Sequence, residues 1–351
     1  MMEKAQPTLK DIAVRLNLSI GTVQRALNNK GGYSPETQRR VLEEAKKMGY
    51  TVNRAASSLS RSPISIAVVL PAPVGNNRYF YQYVWQGIEL ACRELAVYQV
   101  SIQKVYVNTH SDSFFETLNR LSTGGQIQGM ITVSVRDPRF DDAIASFREK
   151  GISYAFINAD SIQQEMRFSV SAGGLAANIL ETALKSSAGQ IMLLGGSYDN
   201  ELHHRRVLDF SQRMRESCGH VSILEFHEYH NLPKLRENII SMLTSLDSLK
   251  GIFAVSTRET LCMCQAISDA GFSGKITTIG VDAFPELLPY FQNQTLTASI
   301  YHFPARLAYS IFYQLFSKLM NIPVLSMTHM IPAAPVFRSS AELFCKADGI
   351  V

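Results

Sequence analysis

The stretch LSIGTVQRALNN, Leu18 to Asn29, holds the residues best suited by type and spacing to read a nucleic-acid groove. The angular step of a helix sets Ile20, Gly21, Gln24 and Arg25 on one polar-rimmed side and turns Val23 and Leu27 to another. The Arg25 fork can donate to guanine O6 and N7 together, and the Gln24 amide can pair with adenine in the same way. Ile20 offers only apolar contact, for example to a thymine methyl. Gly21 has no side chain, so specificity there is either weak or comes from close backbone approach. Thr22 is expected against a phosphate, with Asn28 at the far end of the same helix. A helix that merely filled a core would not need this arrangement.

The surrounding sequence supplies elements to hold that face. In PTLKDIAVRLN, Thr8 is placed as an N-cap with Asp11 three residues on, a variant of the capping box, and Leu9, Ile12, Ala13 and Leu16 repeat at helical spacing. Asn17-Leu18 breaks the helix, and Ser19 caps a second one running to about Asn28, with Val23 and Leu27 inward. Small Ala13 lets the two helices cross closely. Ser34-Pro35-Glu36 then opens a third helix, with Val41, Leu42, Ala45 and Met48 as its apolar face and Gly49 as its stop. Two short helices joined by a tight turn and braced by a third make a helix-turn-helix, whose second helix enters the major groove. A three-helix protein-interaction module would use the same helices.

Charge follows the same division. Residues 1–61 hold 11 Lys/Arg against 5 Asp/Glu, a net of +6, and the remainder of the 351-residue chain carries −2. A basic head on a slightly acidic body is what a nucleic-acid-binding module joined to a second domain shows. The longest apolar runs, such as ISIAVVL, are too short to span a membrane. MMEKAQPTLKD lacks the apolar core of a secretion signal, so a cytoplasmic protein is expected. Cys92, Cys218, Cys262, Cys264 and Cys345 are odd in number and irregularly spaced, as reduced thiols would be.

From Thr8 to Leu59 the chain resembles the DNA-binding head and hinge of the lac repressor (LacI/GalR) family. The residues that carry the resemblance are TLKDIAVRLNLSIGTVQRALNN and YSPETQRRVLEEAKKMGYTVNRAASSLSR. Departures are Gln24 where serine is usual, the additional Gly31-Gly32, and Val52 where proline is common. The resemblance implies that Asn53–Arg61 is a hinge that turns helical on the operator, with Leu59 as a wedge in the minor groove. The composition suits a conditional helix, because Ala55 and Ala56 favour helix while Ser57, Ser58 and Ser60 weaken it.

Beyond Pro63 the pattern changes to β-branched runs alternating with helical stretches: ISIAVVLP, VSIQKVYV, GMITVSV, SYAFIN, QIMLLGG, VSILEF, GIFAVS and ITTIGVD. Such alternation means parallel sheets built from right-handed crossover units, and 63–351 exceeds one comfortable sheet. The body resembles the two-lobed periplasmic-binding-protein fold that follows the head in this family. The expected division is a head at 1–50, a hinge at 51–62 and an effector domain at 63–351. Its first lobe is set at about 63–169 and 303–327, and its second at about 170–299 and 331–351. By the resemblance the chain crosses between lobes near 168–172, 298–303 and 326–332.

Ligands of open parallel sheets sit beyond the carboxyl ends of the strands, so the loops there supply the candidates. Asn77, Tyr79 and Phe80 follow the first strand, Asn158 ends AFIN, Ser256 ends FAVS and Asp282 ends ITTIGV. By the resemblance Asn77, Phe80, Arg206 and Asp282 match family ligand positions, whereas Asn158, Ser256 and His302 stand where aspartate, asparagine and glutamine are common. Carboxylate, guanidinium, amide and a flat ring suit a polyhydroxylated ligand. A purine or an amino-acid-derived effector stays open.

Other chemistry finds no pattern. His227 and His230 in HEYH and the pair His203-His204 lack metal-ligand spacing, and CMC (Cys262, Cys264) lies in an expected helix. The chain has no P-loop, G-x-S-x-G or Rossmann glycine fingerprint, so no enzyme, cofactor or metal is expected. The resulting reading is a small all-α helix-turn-helix head on an α/β two-lobed body with parallel sheets. Its expected partners are a pseudo-palindromic double-stranded operator and a small sugar-like effector. The ending AELFCKADGIV has no heptads, so a homodimer is expected in place of a tail-driven tetramer. The rival is a solute-binding receptor of a transport system.

Overall fold

The computed structural model describes residues 7–27, 31–50, 63–157, 172–184, 188–322 and 333–346. The chain divides into two compact units, Met1–Ser62 and Pro63–Val351.

In the first unit, α1 (Leu9–Leu16), α2 (Ile20–Leu27) and α3 (Pro35–Met48) enclose a core of Ile12, Ala13, Val23, Ala26, Val41 and Ala45. Each boundary has a local cause. The Thr8 side chain accepts from the Asp11 N–H, and the Asp11 carboxylate accepts from the Thr8 N–H at 2.7 Å, completing the capping box. Asn17 and Gly49 end their helices in the left-handed conformation (φ 51° and 68°). Ser34 caps α3 by accepting from the Thr37 N–H. Two details differ from the sequence expectation. Leu42 is 48% exposed, because adjacent Val41 takes the core position and the helical step turns Leu42 outward. The inner face of α2 is Val23 and Ala26, with Leu27 packed at its edge.

The second unit carries two sheets. Parallel strands β1 (Ile64–Leu70), β2 (Val100–Tyr106), β3 (Gly129–Thr132) and β4 (Ser153–Phe156) lie in the order β2-β1-β3-β4. Around them run α4 (Arg78–Glu94), α5 (Asp112–Thr123) and α6 (Pro138–Glu149). The second lobe opens with α7 (Ala172–Leu184), β5 (Gly189–Leu194), α8 (Glu201–Ser217), β6 (Val221–Phe226) and α9 (Leu232–Ser245). It continues with β7 (Leu249–Ala254), α10 (Thr257–Asp269), β8 (Thr277–Val281), α11 (Leu288–Gln292) and β9 (Ala298–Tyr301). After α12 (Pro304–Leu319) come β10 (Ala334–Phe337) and α13 (Ala341–Lys346). The second sheet has the order β10-β9-β8-β7-β5-β6.

All the β-branched runs named above form strands, but β9 and β10 go beyond them. β10 runs antiparallel to β9 at the edge of an otherwise parallel sheet. β10 also contains Pro335, which a sheet edge tolerates. The central strands alternate cleanly. Met192, Leu194, Ile252 and Ala254 pack with Leu235, Ile239 and Met263 on one face. Ile191, Leu193, Phe253 and Val255 pack with Ala176, Leu180 and Phe210 on the other.

The crossing near 298–303 joins β9, in the second sheet, to α12, whose Leu307, Ile311, Phe312 and Phe316 belong to the first lobe's core. The other two crossings fall outside the described residues, apart from Ala172. α12 reaches that core by crossing α4 at Gly87, where an added Cβ would stand 2.0 Å from the Ala305 carbonyl oxygen. A backbone atom cannot step aside for a methyl group. Gly87→Ala is therefore expected to cost about 1–3 kcal/mol, as overpacking of a tight contact does. Urea denaturation should show a lower midpoint for the variant; an unchanged midpoint would mean the two helices are not held this closely.

Candidate functional site

The head presents part of the face its sequence suggests. Ile20 is 47% exposed, and Gly21, Gln24 and Arg25 are exposed beside it. Buried Val23 and Ala26 anchor the opposite side of α2. Ser19 holds the start of this helix, its Oγ accepting from the Thr22 N–H at 3.1 Å. The two hydroxyls also meet at 2.9 Å, so the Thr22 hydroxyl has a local partner. The Arg25 side chain runs beside Gly32, its Nε 3.7 Å from where a Cβ there would lie. An ion pair between Arg15 and Glu44 at 2.9 Å ties α1 to α3. Asn28, Asn53 and Leu59 lie outside the described residues.

In the body, two neighbouring chambers of about 60 and 600 Å³ open between the lobes. Both are lined by Asn77, Tyr81, Asn200, Tyr229 and Arg258. Phe80, Arg206, Ser256 and Asp282 line the smaller one. The centre of the site is a three-membered chain of side chains. Asp282, just past β8 in a left-handed backbone conformation (φ 62°), is 2% exposed. Its carboxylate accepts from the Thr257 hydroxyl at 2.7 Å and meets His302 Nδ1 at 3.2 Å. Arg206 Nη2 lies against the same imidazole, 3.1 Å from His302 Nε2 and 3.4 Å from Nδ1. Arg206 Nη1 donates to the Val255 carbonyl at 2.6 Å. A neutral ring protonated on Nδ1 donates to Asp282 and leaves the unprotonated Nε2 as the ring nitrogen nearer to Arg206.

The electrostatics agree with that assignment. Burial lowers His302 below its usual value, and the Arg206 charge lowers it further. Burial pushes the Asp282 carboxyl up, but the His302 hydrogen bond and the charges of His302 and Arg206 outweigh it, so Asp282 stays below its ordinary value. Arg206, 4% exposed, is brought down by burial to about 10 and remains a cation at neutral pH. Among the described residues its Nε is buried without a partner. The guanidinium thus keeps a donor uncommitted.

Two sequence candidates play other parts. Tyr79 lines neither chamber: its ring stacks on Phe284 at 4.6 Å and lies under the Arg78 guanidinium at 4.2 Å. Helical spacing puts Tyr79 and Tyr83 on one face of α4, and both pack into the second lobe's core. Ser256 lines the cavity but caps α10, accepting from the Glu259 N–H at 3.3 Å and donating to the Glu259 carboxylate at 2.6 Å. Asn158 lies outside the described residues. Sequence reasoning missed Tyr81, His203, Tyr229 and Arg258. The spacing of His203 and Arg206, three apart on α8, was the available signal, since it puts both on one helix face. Burial drives His203 down to about 3, and its Nδ1 accepts from the Ser197 N–H at 3.1 Å.

The rim joins the lobes. Val135 and Asn200 form an antiparallel bridge, and the Arg136 N–H donates to the Asp199 carbonyl at 2.7 Å. His110 of the first lobe meets the Asp199 carboxylate of the second at 2.8 Å. Among the described residues His110, Asp199 and His230 have ligand atoms within 4.8 Å of one another and could hold a metal ion. Ser197 already bonds to Asp199 and His230, which accounts for the cluster without one. Sequence spacing could not show this grouping, because the three residues follow three different strands. No helix among the described residues is long and apolar enough to cross a membrane.

Residues 66–321 match the periplasmic binding protein domain, and residues 8–53 match the lacI family of bacterial regulatory proteins. The HTH-type transcriptional regulator CelR of Thermobifida fusca is 28% identical over 157 residues, 44% of this chain and 45% of CelR. Catabolite control protein A of Priestia megaterium is 22% identical over 214 residues, 60% of this chain and 61% of that protein. The matches therefore span about half the length of these relatives. Among solved structures, an ABC transporter solute binding protein from Burkholderia graminis in complex with D-arabinose superposes with a TM-score of 0.69. It is 17% identical, over 81% of this chain and 98% of that one. GanP, a glucose-galactose binding protein from Geobacillus stearothermophilus, gives a TM-score of 0.67 at 19% identity, over 80% and 99% of the two chains. At these identities the likeness is one of fold.

Behind the cavity wall, Glu259 is fully buried and accepts from the Gly196 N–H at 3.0 Å as well as from Ser256. Burial lifts its carboxyl to about 7 despite these hydrogen bonds. The folded protein then holds a proton that the unfolded chain releases at lower pH, so stability falls as pH rises toward 7. A glutamine stays neutral throughout and escapes this loss. Melting curves should show Glu259→Gln gaining on wild type between about pH 5 and about pH 8. A difference that does not vary with pH would show that Glu259 is already ionised when folded.

Proposed function

The chain belongs to the lacI family of bacterial regulatory proteins, with a periplasmic binding protein domain as its body, and we propose that it is a DNA-binding transcription regulator controlled by a small sugar-like effector. The observation that carries this reading is the Arg206–His302–Asp282 arrangement at strand ends between two lobes, in the same chain as the exposed face of α2. We assign it a cytoplasmic repressor role, acting as a homodimer on a pseudo-palindromic operator. No catalytic step is needed. The solute-binding-receptor reading accounts for the body and leaves the head without a task.

The chemistry supports a polyol. Asp282 and Arg206 offer an acceptor and a donor side by side, and Asn77 adds an amide from the first lobe. Phe80 and Tyr81, edge to face at 5.2 Å, supply flat apolar surface for a sugar ring. A ligand touching groups from both lobes prefers the closed state. It shifts operator affinity only as far as that preference extends.

Titrating sugars into the protein–operator complex tests the reading, and a panel without any response would remove the effector half. Arg25→Ala is expected to lose about 1–3 kcal/mol of specific affinity while random-sequence binding barely changes. Equal losses on operator and random DNA would reduce Arg25 to a phosphate contact. For the cleft, losing a charged partner of a buried hydroxyl costs about 1–3 kcal/mol or more. Asp282→Ala and Arg206→Ala should therefore each abolish the effector's influence on operator binding, leaving effector-free affinity within a few-fold. A normal response from both variants would place the ligand elsewhere.

A further inference from the structure

The cleft has more positive charge than a neutral sugar needs. Among the described residues, the fixed charges lining its chambers are Arg206, Arg258 and Asp282, and the Asp199 carboxylate stands at the rim, held by His110 and Ser197. Asp282 is already engaged by Thr257 and His302, and its charge offsets that of Arg206 through the imidazole. Arg258 interacts with the adjacent Glu259 carboxyl and the Tyr229 hydroxyl but forms no close ion pair among the described residues. Its guanidinium lies over the Tyr229 ring at 4.7 Å, and its Nε is buried without a partner among those residues. The oxygens of the adjacent Glu259 are taken by Ser256 and the Gly196 N–H.

Position adds to the imbalance. Arg258 is the second residue of α10, so the positive end of that helix and the guanidinium point to the same space. Arg206, nine-tenths buried with its own Nε unpartnered, lines the smaller chamber beside Arg258. A half-buried guanidinium stacked on a ring and lacking a counter-ion is a ready receptor for an oxyanion, which it can hold bidentately.

We propose that the effector carries an anionic group, a carboxylate or a phosphate monoester, which binds Arg258 at the N-terminus of α10. This inference rests on the sugar reading of the same cleft. The body of the ligand occupies the Phe80, Arg206 and Asp282 side, and its anion reaches toward the larger chamber.

Calorimetric titration of the full chain with matched pairs tests it: glucose against glucose 6-phosphate, glucose against glucuronate, and ribose against ribose 5-phosphate. Inorganic phosphate and citrate serve as anions without a sugar. At least one anionic sugar should bind ten-fold or more tightly than its neutral partner, roughly the worth of one charge-assisted contact. The pair that responds separates phosphate from carboxylate. Arg258→Gln should bring that ratio to within about two-fold, and Arg258→Lys should restore part of it. Neutral sugars binding as tightly as their anionic partners, or a ratio unchanged by Arg258→Gln, would overturn the anion and leave the sugar reading standing. Citrate or phosphate binding as tightly as any sugar would overturn the sugar reading and keep the anion. No heat from any compound would overturn both.

Discussion

A guanidinium buried as deeply as Arg206 must be given a counter-charge and hydrogen-bond acceptors, because an isolated buried cation is costly. The second lobe meets this demand from three strand ends at once. Val255 after β7 supplies a carbonyl, Asp282 after β8 the charge, and His302 after β9 the imidazole that joins them. The three come together because β7, β8 and β9 are consecutive in the sheet. The arginine itself is delivered by α8, which can approach α7 only because Gly173 has no side chain. A Cβ there would stand 2.2 Å from the Arg206 carbonyl oxygen. The floor of the cleft is thus set by one electrostatic demand and one missing methyl group.

The relation of the lobes rests on different forces. Tyr79 of α4 is buried against Phe284, a large apolar contact reinforced by ring stacking. The Arg78–Glu286 pair beside it is nearly half exposed on both sides, so it steers more than it stabilises. At the Val135–Asn200 rim the ties are a backbone bridge and the Arg136 N–H to Asp199 carbonyl bond. Polar rim contacts can be exchanged for water at small net cost.

Helix starts, strands and head core were legible in the sequence because each has a local cause. Thr8 with Asp11, Ser34 with Pro35, and the left-handed Asn17 and Gly49 need only their neighbours in the chain. Asp282, Arg206 and His302 were legible as a group because topology places strand ends together, and the family pattern marked the positions. What each side chain would then choose as its partner was not. Tyr79 leaves the cavity because its choice depends on Phe284, distant in sequence, whereas Ser256 caps its own helix through Glu259 three residues on. β10 was missed for a similar reason: with four residues including a proline, its pairing is set by β9.

The same limit explains why the charge balance of the cleft could not be read in advance. Counting Arg, Asp and His along the chain gives no weight to which of them are already spent on one another. Arg206 and Asp282 look in sequence like two ligand contacts, but in space they first satisfy each other through His302. Arg258 looks like an ordinary second residue of a helix, yet it lines the cleft with its Nε buried and unpartnered among the described residues. Burial decides the difference, since a charge on a solvated surface needs no partner and the same charge in a cleft does. The residues most informative about the ligand are those that the fold has left with an uncommitted donor, namely Arg258 and the Nε of Arg206.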